Sequence, residues 1–207
     1  MLRWLIVILI FNLTYIGETL NLVIPREEYT YIMKNNTKKL NKFNKISRDD
    51  LIYLAGFIDG DGSILAQITP AHDRLHKFQI RCTVVLYQDR RRAWFLQKMG
   101  DILGHGNLNN QNTSNWSWTI GARDEVRDLL LLIEPYLKIK KKLARIVIDI
   151  IERSKSVESR ADLFKVMQLV DKTAEHTDSK TRVWTSLTAK IFWETGNRPE
   201  IKKKEAK

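Results

Sequence analysis

Leu54-Ala55-Gly56-Phe57-Ile58-Asp59-Gly60-Asp61-Gly62-Ser63 is the stretch that decides the fold of this 207-residue chain. Ser47, followed three residues on by Asp50, is an N-cap signature, and Leu51, Leu54, Ala55 and Ile58 recur at helical spacing. A helix therefore runs into the stretch. Gly60 and Gly62 mark its turn into a strand. Gly56 and Gly60 share one helix face; each costs about 1 kcal/mol in helix propensity and each lets a second backbone approach closely. Such a face expects a helical partner.

Asp61 lies just past that face. If the partner is the same helix of a second copy, two carboxylates converge, and they repel unless a cation sits between them. Hard oxygen ligands of this kind suit Mg²⁺ or a similar divalent ion. The alternative is a helix C-terminus at which Asp59 and Asp61 only satisfy backbone donors. The residues by themselves leave both open.

Downstream, Ser63 to Thr69 alternates, with Ile64, Ala66 and Ile68 on one side and Ser63, Leu65, Gln67 and Thr69 on the other; Pro70 ends the strand. Phe78 to Gln88 alternates again. Ile80, Cys82, Val84 and Leu86 take its core side, and Gln79, Arg81, Thr83, Val85 and Tyr87 the other. Arg90 to Leu103 carries Trp94, Phe95, Met99 and Ile102 at helical spacing, a helix covering the sheet. A hairpin pairs Gly106 to Gln111 with Asn115 to Ile120. Arg123 to Leu132 is amphipathic, Pro135 interrupts it, and a helix opens at Lys138 and runs to about Arg153. Two more helices are expected over Asp162 to Glu175 and Thr181 to Glu194. This order predicts an α+β domain over residues 47–194, with a four-stranded antiparallel sheet whose polar face is left uncovered.

The flanks differ in character. Residues 1–46 form a leader and linker: Trp4 to Phe11 is an apolar run, shorter than the ~20 residues a membrane span needs, and residues 27–45 are polar and rich in Asn and Lys. A signal-like or anchoring segment and upstream coding sequence are the two explanations of the run, and no stable membrane partner is expected. Residues 195–207 form a basic tail. The formal charge of +11 favours an anionic partner, nucleic acid first. The single cysteine, Cys82, excludes an internal disulfide framework, and the four histidines show no zinc spacing beside it.

The run Leu54 to Gly62 resembles the signature of the LAGLIDADG homing endonucleases, and the similarity extends from about Ser47 to about Leu187. One copy of the motif points to the single-motif, homodimeric branch. The resemblance implies a sheet folded into a DNA-binding saddle and a site-specific DNA endonuclease. Such an enzyme hydrolyses phosphodiesters with Mg²⁺ or Mn²⁺ and makes a double-strand break at a long pseudo-palindromic site, as in intron homing. It implies Asp61, Gln88, Arg92 and Lys140 as catalytic residues, with Asp61 and the Gly60 carbonyl on the metal. Charge alone does not separate Lys140 from Lys138, Lys141 and Lys142. The implied DNA contacts are Leu65, Gln67, Thr69, Gln79, Arg81, Thr83, Val85, Asn109, Gln111, Lys138, Ser179 and Lys180. Those between protomers are Leu54, Ala55, Gly56, Asp59 and Gly60. Asp178 to Arg182 resembles a segment contacting the DNA backbone, after which Val183 and Trp184 turn apolar. The family setting is an organelle, chloroplast or mitochondrion. The rivals are an RNA maturase acting on intron RNA and a cleavage-dead DNA-binding protein on the same fold.

Overall fold

A computed structural model describes residues 46–110, 114–177 and 182–199. Helix α1 (Arg48–Asp61) starts where the capping signature places it: the Ser47 side chain accepts the Asp50 amide at 3.1 Å. It passes without a loop into β1 (Gly62–Pro70). Gly62 has an ordinary φ of −90°, so its need for glycine is one of space. A Cβ there would lie 2.7 Å from the Ile58 Cα.

Strand β2 (Phe78–Asp89) leads through a 3-10 turn, Arg90–Arg92, into α2 (Ala93–Leu103). Then come β3 (Asn107–Asn110), β4 (Asn115–Ile120), α3 (Arg123–Ile133), α4 (Lys141–Arg153), α5 (Arg160–Lys172) and α6 (Ser186–Thr195). The sheet order is β1-β2-β4-β3, antiparallel throughout. Ile64, Ala66 and Ile68 of β1 and Ile80, Cys82, Val84 and Leu86 of β2 are buried with the apolar sides of α3, α4 and α5. The period-two assignment of both strands holds, and it leaves the opposite face of the sheet to polar side chains.

Three helix starts differ from expectation, and so does one buried face. The helix expected from Lys138 begins at Lys141, because the amides of Lys138 to Lys140 are drawn to a side chain on α1. Helix α5 begins at Arg160: Ser159 and Asp162 form a capping box, so Asp162 is the third helical residue rather than the first. The last helix starts at Ser186 under a similar box made by Thr185 and Thr188. Trp94 is 66% exposed, since the inward side of α2 is Leu96, Met99 and Leu103. Trp118 anchors the β3–β4 hairpin, its indole Nε1 donating to the His105 carbonyl at 3.0 Å. Among the described residues no helix is long and apolar enough to cross a membrane, and Trp4 to Phe11 lies outside them.

Candidate functional site

The end of α1 is the meeting point. Asp61 is exposed there and makes no hydrogen bond or ion pair among the described residues. Gly62 pairs with Leu86, and Gln88 follows two residues further along β2, opposite Trp116 of β4. Arg92, just past β2, has its Nη1 3.5 Å from Gln88 Oε1. Lys140 reaches the same place from the other side: its Nζ donates to the carbonyls of Ile58 at 2.8 Å and Asp59 at 2.7 Å. These belong to the last turn, whose carbonyls lack intrahelical donors and carry the negative end of the helix dipole. Geometry thereby separates the lysines, because Lys141 leans towards Glu134 at 3.7 Å while Lys138 and Lys142 are exposed.

Asp59 stands elsewhere than expected. Its carboxylate accepts the backbone amides of Lys138 at 2.6 Å, Ile139 at 3.2 Å and Lys140 at 2.9 Å, all within its own chain. Burial pushes its pKa up, but the three amide donors and the Lys140 charge outweigh burial and hold the carboxyl below its ordinary value. Leu54 and Ala55 are likewise buried in the core of their own chain, so their side chains are not surface for a partner. Gly56 and Gly60 do face outward, and a Cβ on either would meet nothing within 4 Å. Beside them Ile52 and Tyr53 are exposed, as is Ile139 at 78%.

The donors at this end are oxygens, the Asp61 carboxylate and the carbonyl of Gly60 in the unpaired last turn. That set fits a hard cation such as Mg²⁺, which keeps several waters or phosphate oxygens in its shell. Among the described residues no three His, Cys, Asp or Glu side chains gather into a metal cage. One chain thus offers an open fragment of a site.

Across the uncovered sheet face the candidate DNA contacts form rows. Gln67 pairs with Arg81, Thr69 with Gln79 and Leu65 with Thr83. Gln67 and Arg81 are exposed and make no side-chain hydrogen bond or ion pair among the described residues. The other four are half-buried. Asn109 is exposed on β3, its amide donating to the Asn107 carbonyl at 3.2 Å. Val85 departs from expectation: only 6% exposed, it is sunk between Ser63 and Thr119 on the neighbouring strands, while Tyr87 stands out. Gln111, Ser179 and Lys180 lie outside the described residues. Arg182 turns inward, its guanidinium donating to the Val170 carbonyl and, at 2.8 Å, to Thr173 Oγ1, and burial depresses its pKa. It is tied to structure rather than offered to a phosphate. The clasp between Asp59 and the turn before α4 escaped the sequence, since its partners are some eighty residues apart and no local pattern announces them.

The match to the LAGLIDADG endonuclease family model covers residues 54–156. DNA endonuclease I-CreI of Chlamydomonas reinhardtii is 37% identical over 147 residues, 70% of this chain and 90% of that one. DNA endonuclease I-CvuI of Chlorella vulgaris is 32% identical over 130 residues, 63% and 81% of the two chains. The crystal structure of I-CvuI in complex with its target in the presence of 2 mM Ca matches with a TM-score of 0.67 and 28% identity, over 70% of this chain and 94% of that one. An archaeal intron-encoded homing endonuclease, I-Vdi141I complexed with DNA, shares the fold at a TM-score of 0.63 and 15% identity, covering 70% and 95%. With the signature helix, the sheet and two relatives above 30% identity in agreement, this chain belongs to the LAGLIDADG endonuclease family.

Proposed function

We propose that this protein is a site-specific DNA endonuclease that cuts both strands of a long, pseudo-palindromic target by metal-dependent hydrolysis, acting as a homodimer. The observation that carries the proposal is Asp61, without a hydrogen bond or ion pair among the described residues, at the helix end that Lys140 grips, beside a sheet face lined with hydrogen-bonding side chains. The relatives agree, being DNA endonucleases by name; I-CvuI is seen with its own target in the presence of Ca, and with the I-CreI target, not cleaved, in the presence of Mg.

In this scheme Gln67, Thr69, Gln79, Arg81, Thr83 and Asn109 hydrogen-bond base edges in the major groove, and Leu65 meets thymine methyl groups. Asp61 and the Gly60 carbonyl hold the cation, Mg²⁺ or Mn²⁺, which when bound activates water and neutralises charge on the phosphate. Gln88 orients the attacking water. The cations of Arg92 and Lys140 face the charge that develops on the phosphate and the leaving oxygen. The second copy docks against Ile52, Gly56 and Gly60, where bare glycines let two helices approach and bring two Asp61 carboxylates together. An organellar setting, chloroplast or mitochondrion, belongs to the same proposal.

Incubating the protein with a plasmid library of candidate intron-insertion sites, with and without Mg²⁺, tests the scheme. Linearisation at one site, only with the metal, is the expected outcome. Failure to cut any site, or cutting that persists in excess chelator, refutes it.

A further inference from the structure

Three consecutive backbone amides, those of Lys138, Ile139 and Lys140, point at one carboxylate from a different element. Successive N–H groups gathered in this way form a concave nest for an anion. Its occupant belongs to the same chain and is not a phosphate. The next helix begins at Lys141 with no side-chain cap of its own, so Asp59 supplies what local sequence does not. The same turn then closes back on α1, because Lys140 Nζ donates to the Ile58 and Asp59 carbonyls at 2.8 and 2.7 Å. Asp59 is thus bound at both ends of one short loop, by its carboxylate to the Lys140 backbone and by its carbonyl to the Lys140 ammonium.

We propose that Asp59 is a positioning residue for Lys140, fixing the backbone from which the lysine reaches the end of α1. This inference rests on the endonuclease scheme above, in which Lys140 faces the scissile phosphate. A lysine stem carries four rotatable carbons and otherwise sweeps a wide volume. Pinning its backbone and committing two of its three ammonium donors leaves the third aimed at whatever oxygen lies beyond the helix end. With its carboxylate taken up by three backbone amides, Asp59 acts in this scheme through Lys140 rather than on the phosphate. An emptied nest would still attract phosphate, so its loss should not weaken DNA binding.

The experiment measures single-turnover cleavage at saturating DNA for the wild type, Asp59→Asn, Lys140→Met and the double variant, with affinity by gel shift. Misplacement of a catalytic group by about an ångström costs on the order of 100-fold. Asp59→Asn should therefore slow cleavage by roughly 10- to 100-fold with affinity within about 3-fold of wild type. Groups acting as one unit lose activity once and not twice. The double variant should accordingly cleave as slowly as Lys140→Met and no slower, an outcome a merely structural role would not give. Amide hydrogen exchange on the wild-type protein supplies a measurement that survives a misfolded variant: the Lys138, Ile139 and Lys140 amides should be protected although the segment is exposed. Unprotected amides, near wild-type cleavage by Asp59→Asn, or losses that multiply in the double variant each overturn the inference. A wild-type protein that cuts no target overturns the endonuclease scheme instead.

Discussion

Replacing Gly106 with alanine should destabilise the protein by several kilocalories per mole, and replacing Gly104 should not. Both glycines have positive φ, +86° and +65°, so each substitution carries about 1–2 kcal/mol of left-handed backbone strain. A Cβ on Gly104 meets nothing within 4 Å. A Cβ on Gly106 falls inside the Trp118 indole, against Cε2, Nε1 and Cζ2. The ring has nowhere to go: it is 1% exposed, hydrogen-bonded to the His105 carbonyl at 3.0 Å, and so near Gly100 that a Cβ there would lie 3.1 Å from its Nε1. Overpacking adds about 1–3 kcal/mol. A displaced indole loses a hydrogen bond worth about 1 kcal/mol. The totals are about 1–2 kcal/mol for Gly104→Ala and about 3–6 kcal/mol for Gly106→Ala. Urea unfolding followed by tryptophan fluorescence at one fixed protein concentration reads both, the concentration being held because the proposed dimer would shift apparent stability. Equal midpoints for the two variants would refute the packing account of this hairpin.

Three further outcomes follow from the site and one from the core. Asp61→Asn should abolish Mg²⁺-dependent cleavage while gel shift shows specific DNA binding intact, since the carboxylate is lost and the sheet face is untouched. Arg81→Ala should relax discrimination at one or two base pairs by about 1–3 kcal/mol in competition binding, with the cleavage rate on saturated DNA nearly unchanged. Gly56→Leu, filling space that is open in the single chain, should keep two helices apart and move the sedimentation profile towards monomer; a monomer that still cuts both strands would sink the shared-site scheme. Burial pushes the Cys82 thiol up to about 12, so at pH 8 it is protonated in the folded protein. It should stay unmodified by Ellman's reagent until denaturant is added.

Much of this architecture is legible locally. The capping pair of Ser47 and Asp50, the period-two alternation of β1 and β2 and the glycines closing α1 are patterns within a dozen residues, and local patterns survive folding when one face of an element is buried. What stayed hidden was decided across the chain. Lys138 to Lys140 read as the opening of a helix, yet an aspartate on α1 captures their amides first. Leu54 and Ala55 belong to the signature, but only the packing of α1 on the sheet shows that they point into their own core. Alternation puts Val85 on the polar face without telling that its short side chain sinks between Ser63 and Thr119. Arg182 looks like a phosphate ligand until its guanidinium is found on Val170 and Thr173.

The unbroken antiparallel register of β1 and β2 has a practical consequence for changing what this protein recognises. Residues adjacent in sequence project from opposite faces, whereas Gln67 and Arg81, or Thr69 and Gln79, stand side by side though far apart in the chain. In the proposed scheme a base pair beneath such a couple would be contacted by both members, and a new side chain on one would change the room and hydrogen bonding available to the other. Retargeting libraries built by randomising consecutive codons would spend half of their diversity on the core and scan the remainder one member at a time. Libraries that vary Gln67 with Arg81, and separately Thr69 with Gln79, sample the combinations that the proposed scheme presents to DNA.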